Sequence, residues 1–135
     1  MGIYIFKCLH GDYVKLGHHL VCPRRPNAYY RVAGRGFYSC KHPECLDDKL
    51  GIFDLELVAW YPTLSRAEEK KAHNLTPKAD RVGEFHPLSA LDTLTDFCDG
   101  LAARVDISAS AKKRAIAWGA RRARRAKRAA VRRRK

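Results

Sequence analysis

Residues 112–135 hold 13 lysines and arginines and no acidic residue. A segment of that kind has no face to bury, because a cation taken out of water without a partner is strongly destabilising. Any core must therefore come from the first 111 residues, where 14 basic residues meet 14 acidic ones. The formal net charge of +13 belongs to the tail. A body of this size builds one core and has no room for two. We divide the chain into a domain of residues 1–106 and an Ala/Arg/Lys-rich basic tail of residues 107–135.

No run approaches the roughly 18 apolar residues of a membrane-spanning helix, so membrane insertion is not expected. Residues 3–6 already read as a strand and no basic segment precedes them, which argues against a leader peptide. Phe6 stands where an N-myristoylation signal usually carries Ser or Thr. The five cysteines at positions 8, 22, 40, 45 and 98 are odd in number and scattered. That is unlike a disulfide scaffold, and the expected location is intracellular, cytoplasmic or nuclear, or a virion if the source is viral.

The body reads as α/β: a small three-stranded mixed sheet flanked by helices. Residues 3–8 and 13–16 are strand-like, with His10-Gly11-Asp12 between them, a hairpin pattern. Pro23 and Pro26 break the chain before a short helix near 27–33, and residues 35–52 read as an irregular insertion. Residues 55–60 form a dense apolar run expected to be a buried central strand. Ser65, with Glu68 three residues on, has capping-box spacing and opens a helix to about Asn74. From Ser89 to about residue 103, Leu91, Leu94, Phe97, Cys98 and Leu101 recur at helical spacing while Asp92, Asp96 and Asp99 fall off the stripe. In the tail, Arg121, Arg125, Arg128 and Arg132 share one helical face. Like charges at that spacing repel, so the tail gains helix where phosphates or carboxylates neutralise it.

Gly2-Ile3-Tyr4, ten residues, and then Lys15-Leu16-Gly17 resemble the paired-strand signature of the GIY-YIG nucleases, in a variant with Lys opening the second triplet. Arg31, the strand at 55–60, the stretch Glu69-Lys70-Lys71-Ala72-His73, and Gly83-Glu84-Phe85 before an amphipathic helix follow in the order seen in the branch common in phages and large DNA viruses. The resemblance covers residues 2 to about 98. It implies hydrolysis of a DNA phosphodiester with one divalent metal, Mg2+ or Mn2+. It also implies Tyr4 as the base, Arg31 as the phosphate contact and Glu69 as the metal ligand. Lys15, in place of the usual tyrosine, would lower the Tyr4 pKa or contact phosphate. Tyr13 is a substitute on the same strand face, and Glu84 is the reserve ligand. These residue types match the chemistry, which needs a base for water, a cation for phosphate and a carboxylate for a hard metal.

Each residue also has a plainer reading. Tyr4 has the pattern of a core tyrosine with its hydroxyl at the rim, Glu69 that of a solvated helix face, and Arg31 that of a surface ion pair. In the insertion, Cys40, His42 and Cys45 with Cys22 make a tetrahedral Zn2+ set, although the spacing matches no standard finger and buried structural cysteines are the commoner explanation.

Two functions follow. One is a metal-dependent DNA endonuclease whose tail binds nucleic acid without sequence preference through Arg121, Arg122, Arg124, Arg125, Arg128 and Arg132. The other is a catalytically inactive structural protein of a virion or nucleoprotein particle, its body docked on a protein shell and its tail on nucleic acid or an acidic subunit. The tail clusters also match a two-part nuclear import signal.

Overall fold

The computed structural model of the chain describes residues 2–8, 11–19 and 55–105, and in the tail residues 113, 117, 121, 124, 125 and 127–134. The expected helix near 27–33, the insertion, Arg31, the cysteine cluster with Cys22, and Arg122 lie outside the described residues.

The described body is α/β. Strands β1 (Gly2–Cys8), β2 (Tyr13–His19) and β3 (Leu55–Tyr61) are followed by helix α1 (Arg66–His73), a short strand β4 (Phe85–Pro87) and helix α2 (Leu91–Leu101). The sheet has four strands in the order β3-β1-β2-β4, and every pairing is antiparallel. This corrects the expectation of three strands in a mixed sheet. β4 is only three residues long, too short to show a period of two, and it is bounded by Pro87. It exists because Val14 pairs with His86 and Lys15 with Phe85.

A second correction concerns β3, which lies at the edge of the described sheet rather than its centre. Its apolar density comes from burial on both faces: Ala59 and Tyr61 are covered on one, Leu57 and Trp60 on the other. A register shift opposite Ile5 and Phe6 bends the pairing with β1. Past α2 the chain returns to the free side of β3, where the Val105 N–H donates to the Trp60 carbonyl at 3.0 Å.

Strand alternation places Ile3, Ile5, Val14 and Leu16 on the face that receives the helices, where they meet Ala72 of α1 and Leu94 and Cys98 of α2. Gly2, Tyr4 and Phe6 project the other way. Helix α1 starts as expected with Ser65 at its N-cap, but no side-chain cap bond forms. The Ser65 hydroxyl donates to the Glu68 carboxylate instead. On α2 the stripe holds through Leu94 and Cys98, while Leu101 emerges 52% exposed and Thr95 is buried. The Thr95 hydroxyl returns to the carbonyls of Leu91 and Asp92 at 3.0 and 3.1 Å, which removes the cost of burying it. Among the described residues, no helix is long and apolar enough to cross a membrane. In the tail, residues 113, 117, 121, 124, 125 and 127–133 are helical, and their side chains are exposed except for partly covered Ala130.

Candidate functional site

The two-residue turn after Val82 positions the site. Val82 and Phe85 exchange both backbone hydrogen bonds at 2.9 Å. Gly83 occupies the left-handed region at φ 57°, which a side chain would strain. The turn brings Glu84 to the edge of β2, where its carbonyl accepts from the Leu16 N–H at 3.1 Å. Helix α1 lies beside this edge, and the gap between them is an open cleft of about 670 Å³. It is lined by His18, Arg66, Glu69, Lys70, His73, Asn74, Lys78, Arg81 and Glu84.

At the floor of the cleft, Glu69 and His73 stand one turn apart on α1, with Glu69 Oε1 3.5 Å from His73 Nε2. The other ring nitrogen of His73, Nδ1, lies 2.8 Å from Nε2 of buried His86 on β4. His86 Nδ1 in turn lies 2.7 Å from the Thr76 hydroxyl. Burial lowers the pKa of His73, with Arg81 adding to the effect and Glu84 opposing it. Burial, with His73 and Arg81 nearby, brings His86 down to about 4. Both imidazoles are therefore neutral at pH 7, and one hydrogen lies between them. Glu69 is shifted upward by loss of solvent, opposed by His18 and Arg66. His18 is lowered by the same loss of solvent, and its Nε2 is buried without a hydrogen-bond partner.

The rim is basic. Arg66, Lys70, Lys78 and Arg81 line the cleft, and none makes a salt bridge among the described residues. Unneutralised cations around a partly dry carboxylate attract an anionic ligand that brings or shares a divalent cation.

Tyr4 pairs with Gly17 and Ile3 with His18, so Tyr4 and His18 point to opposite faces of the hairpin. Tyr4 is grouped with Lys15 and Gly17 on one face, and Glu69 with His18 and His73 on the other. A Cβ on Gly17 would overlap the Tyr4 ring, so this glycine is what lets the ring lie flat across β2. Lys15 Nζ sits 6.0 Å from the Tyr4 ring centre and 3.9 Å from Glu84 Oε2. Lys15 and Glu84 thus bridge the Tyr4 face and the cleft. Tyr13 is half-buried opposite Pro87.

Sequence reasoning missed His73 and His86 as a pair and the four rim cations. The spacing of Glu69 and His73 was the available signal, two ligand-type side chains on one helical face. Among the described residues no group of three or more His, Cys, Asp or Glu could hold a metal ion. A cation here would have Glu69 and His73 as protein donors, with water and phosphate oxygens completing its shell, as catalytic Mg2+ sites commonly do. Comparison with protein-family models, with curated proteins and with solved structures finds no match to this chain.

Proposed function

We propose that the chain is a divalent-metal-dependent DNA endonuclease of the GIY-YIG type, with the tail as its nonspecific nucleic-acid anchor. The observation that carries this reading is the set of four cations, Arg66, Lys70, Lys78 and Arg81, that line the cleft with Glu69 and Glu84 and make no salt bridge among the described residues. A phosphodiester supplies the negative charge the rim lacks. Glu69 offers a carboxylate to a Mg2+ or Mn2+ ion, which would polarise the phosphoryl oxygen and stabilise the leaving oxygen. Arg66 and Arg81 offer planar donors for the nonbridging oxygens. Tyr4 lies on the face of the hairpin opposite the Glu69 cleft, out of reach of a water held at Glu69, so it does not take the base role that the sequence pattern suggests for it, and the base is left unassigned. Arg31 keeps the phosphate role that the sequence pattern suggests.

The test is nicking of supercoiled plasmid by the full chain with Mg2+ or Mn2+. Cleavage that EDTA abolishes, and that falls at least 100-fold in Glu69→Gln, is the expected result. No cleavage with either metal under conditions where the chain binds the plasmid would defeat the reading.

A structural nucleoprotein is the second reading, favoured by Lys15 in place of a catalytic tyrosine and by the exposed helical arginines of the tail. It expects plasmid binding without nicking, and incorporation of the chain into a particle.

A further inference from the structure

We infer that His73 is a second protein ligand beside Glu69, its Nε2 presented to the cleft by the His86–Thr76 relay behind it, and that the site consequently prefers Mn2+ to Mg2+. The inference rests on the metal-dependent reading above and adds to it a ligand, a supporting shell and a metal preference.

The Glu69–His73 separation of 3.5 Å is the first argument. It is within ion-pair range but longer than an N–H···O hydrogen bond, commonly about 2.9 Å. Two donors about 2.1 Å from one ion and roughly at right angles to each other, or somewhat wider, stand about 3 to 3.5 Å apart. The spacing therefore matches that of two donors on one shared cation. Both side chains are largely buried, at 12% and 16% exposure, so each gives up water that an ion would replace.

The second argument is the relay. A ligating imidazole needs a lone pair on the metal-facing nitrogen and a partner for the hydrogen on the other. His73 has that partner in His86 Nε2 at 2.8 Å. With the hydrogen on His73 Nδ1, His86 must carry its own on Nδ1, and the Thr76 hydroxyl at 2.7 Å accepts it. Every nitrogen of the two rings is then used, and His73 Nε2 is held open toward Glu69. An imidazole nitrogen moves selectivity along the divalent series from Mg2+ toward the transition metals. Mn2+ serves as the probe because thiolates elsewhere in the chain hold it poorly.

The experiment titrates the full chain with MnCl2 or MgCl2 alone, reads free Mn2+ by electron paramagnetic resonance, and reads nitrogen coupling to bound Mn2+ by electron spin echo modulation. Expected results are Mn2+ affinity at least tenfold above that for Mg2+ and an imidazole nitrogen signal in the unaltered chain. His73→Gln should weaken Mn2+ at least tenfold and remove the signal. His86→Asn should weaken it about tenfold and keep the signal. Equal affinity for the two metals, no nitrogen signal in the unaltered chain, or an unchanged signal in His73→Gln would overturn the inference. Plasmid nicking run in parallel separates the two claims. Nicking with unaltered Mn2+ binding in His73→Gln removes this inference and keeps the nuclease reading, whereas nitrogen-bound Mn2+ without nicking does the reverse.

Discussion

His73 and His86 share one hydrogen across 2.8 Å, with ring planes 9° from parallel and ring centres 5.0 Å apart. The centre separation exceeds the nitrogen–nitrogen distance by little more than one ring radius on each side, so the rings meet edge to edge rather than face to face. That arrangement couples helix α1 to strand β4 through one polar contact and sets which nitrogen of His73 faces the cleft.

The pair makes stability depend on pH with a definite sign. His86 has a folded pKa of about 4 against an ordinary 6.5, and His73 is shifted the same way. The unfolded chain takes up these protons first as pH falls, so stability is complete above about pH 6.5 and declines toward pH 4. For His86 alone the loss reaches up to about 3 kcal/mol. Urea unfolding at pH 7, 5.5 and 4.5 should show this slope, and His86→Asn should flatten much of it. A slope unchanged by the substitution would contradict the assignment.

His86→Leu should destabilise the fold at pH 7 by about 1 to 3 kcal/mol, because it strands the Thr76 hydroxyl and His73 Nδ1 in a buried setting. Double substitution with Thr76→Val should cost less than the sum of the single changes. A double-mutant cycle by chemical denaturation measures that coupling.

Gly17 and Tyr4 are coupled by space rather than polarity. A methyl group on Gly17 would meet the Tyr4 ring, so Gly17→Ala should cost about 1 to 3 kcal/mol. In a Tyr4→Ala background the same change should be nearly neutral. Equal costs in the two backgrounds would show that the ring does not lie over Gly17.

Tyr61 is fully buried, and its hydroxyl donates to Asp99 Oδ1 at 2.7 Å. Asp99 also accepts from Arg104 at 2.9 Å. Burial first, then the Asp99 hydrogen bond, holds the Tyr61 phenol far above the usual tyrosine range. Absorbance titration of the folded chain should leave Tyr61 un-ionised at pH 11, so Tyr61→Phe should not reduce the tyrosinate signal there. Tyr61→Phe should lower stability by about 1 kcal/mol.

Removal of residues 112–135 should leave cooperative thermal unfolding of the body intact, since the buried core cluster of the described residues runs from Ile3 to Cys98. It should also abolish most of the binding to a fluorescent duplex and flatten its salt dependence. Arginine outnumbers lysine nine to four in that segment, which suits paired phosphate contacts. Equal affinity with and without the tail would assign the tail to a protein partner.

What the sequence determined by itself is local. The alternation at residues 3–8 and 13–16, the Ser65 start of α1, the Leu91–Cys98 stripe of α2 and the segregation of charge into the tail are carried by neighbouring residues, whose periods of 2 and 3.6 are written in order along the chain. Tertiary structure alone decided the rest. β4 has three residues and acquires its identity only from pairing with β2, and β3 lies at the edge of the described sheet because, among the described strands, it pairs with β1 alone. Lys70, Lys78 and Arg81 look like solvated charge in sequence and become a rim only when the turn at Gly83 is folded against α1. His73 and His86 are 13 residues apart with no period connecting them. Contacts of that kind depend on where two elements dock, and no local pattern carries that information because docking is set by the shape of the common core rather than by either segment alone.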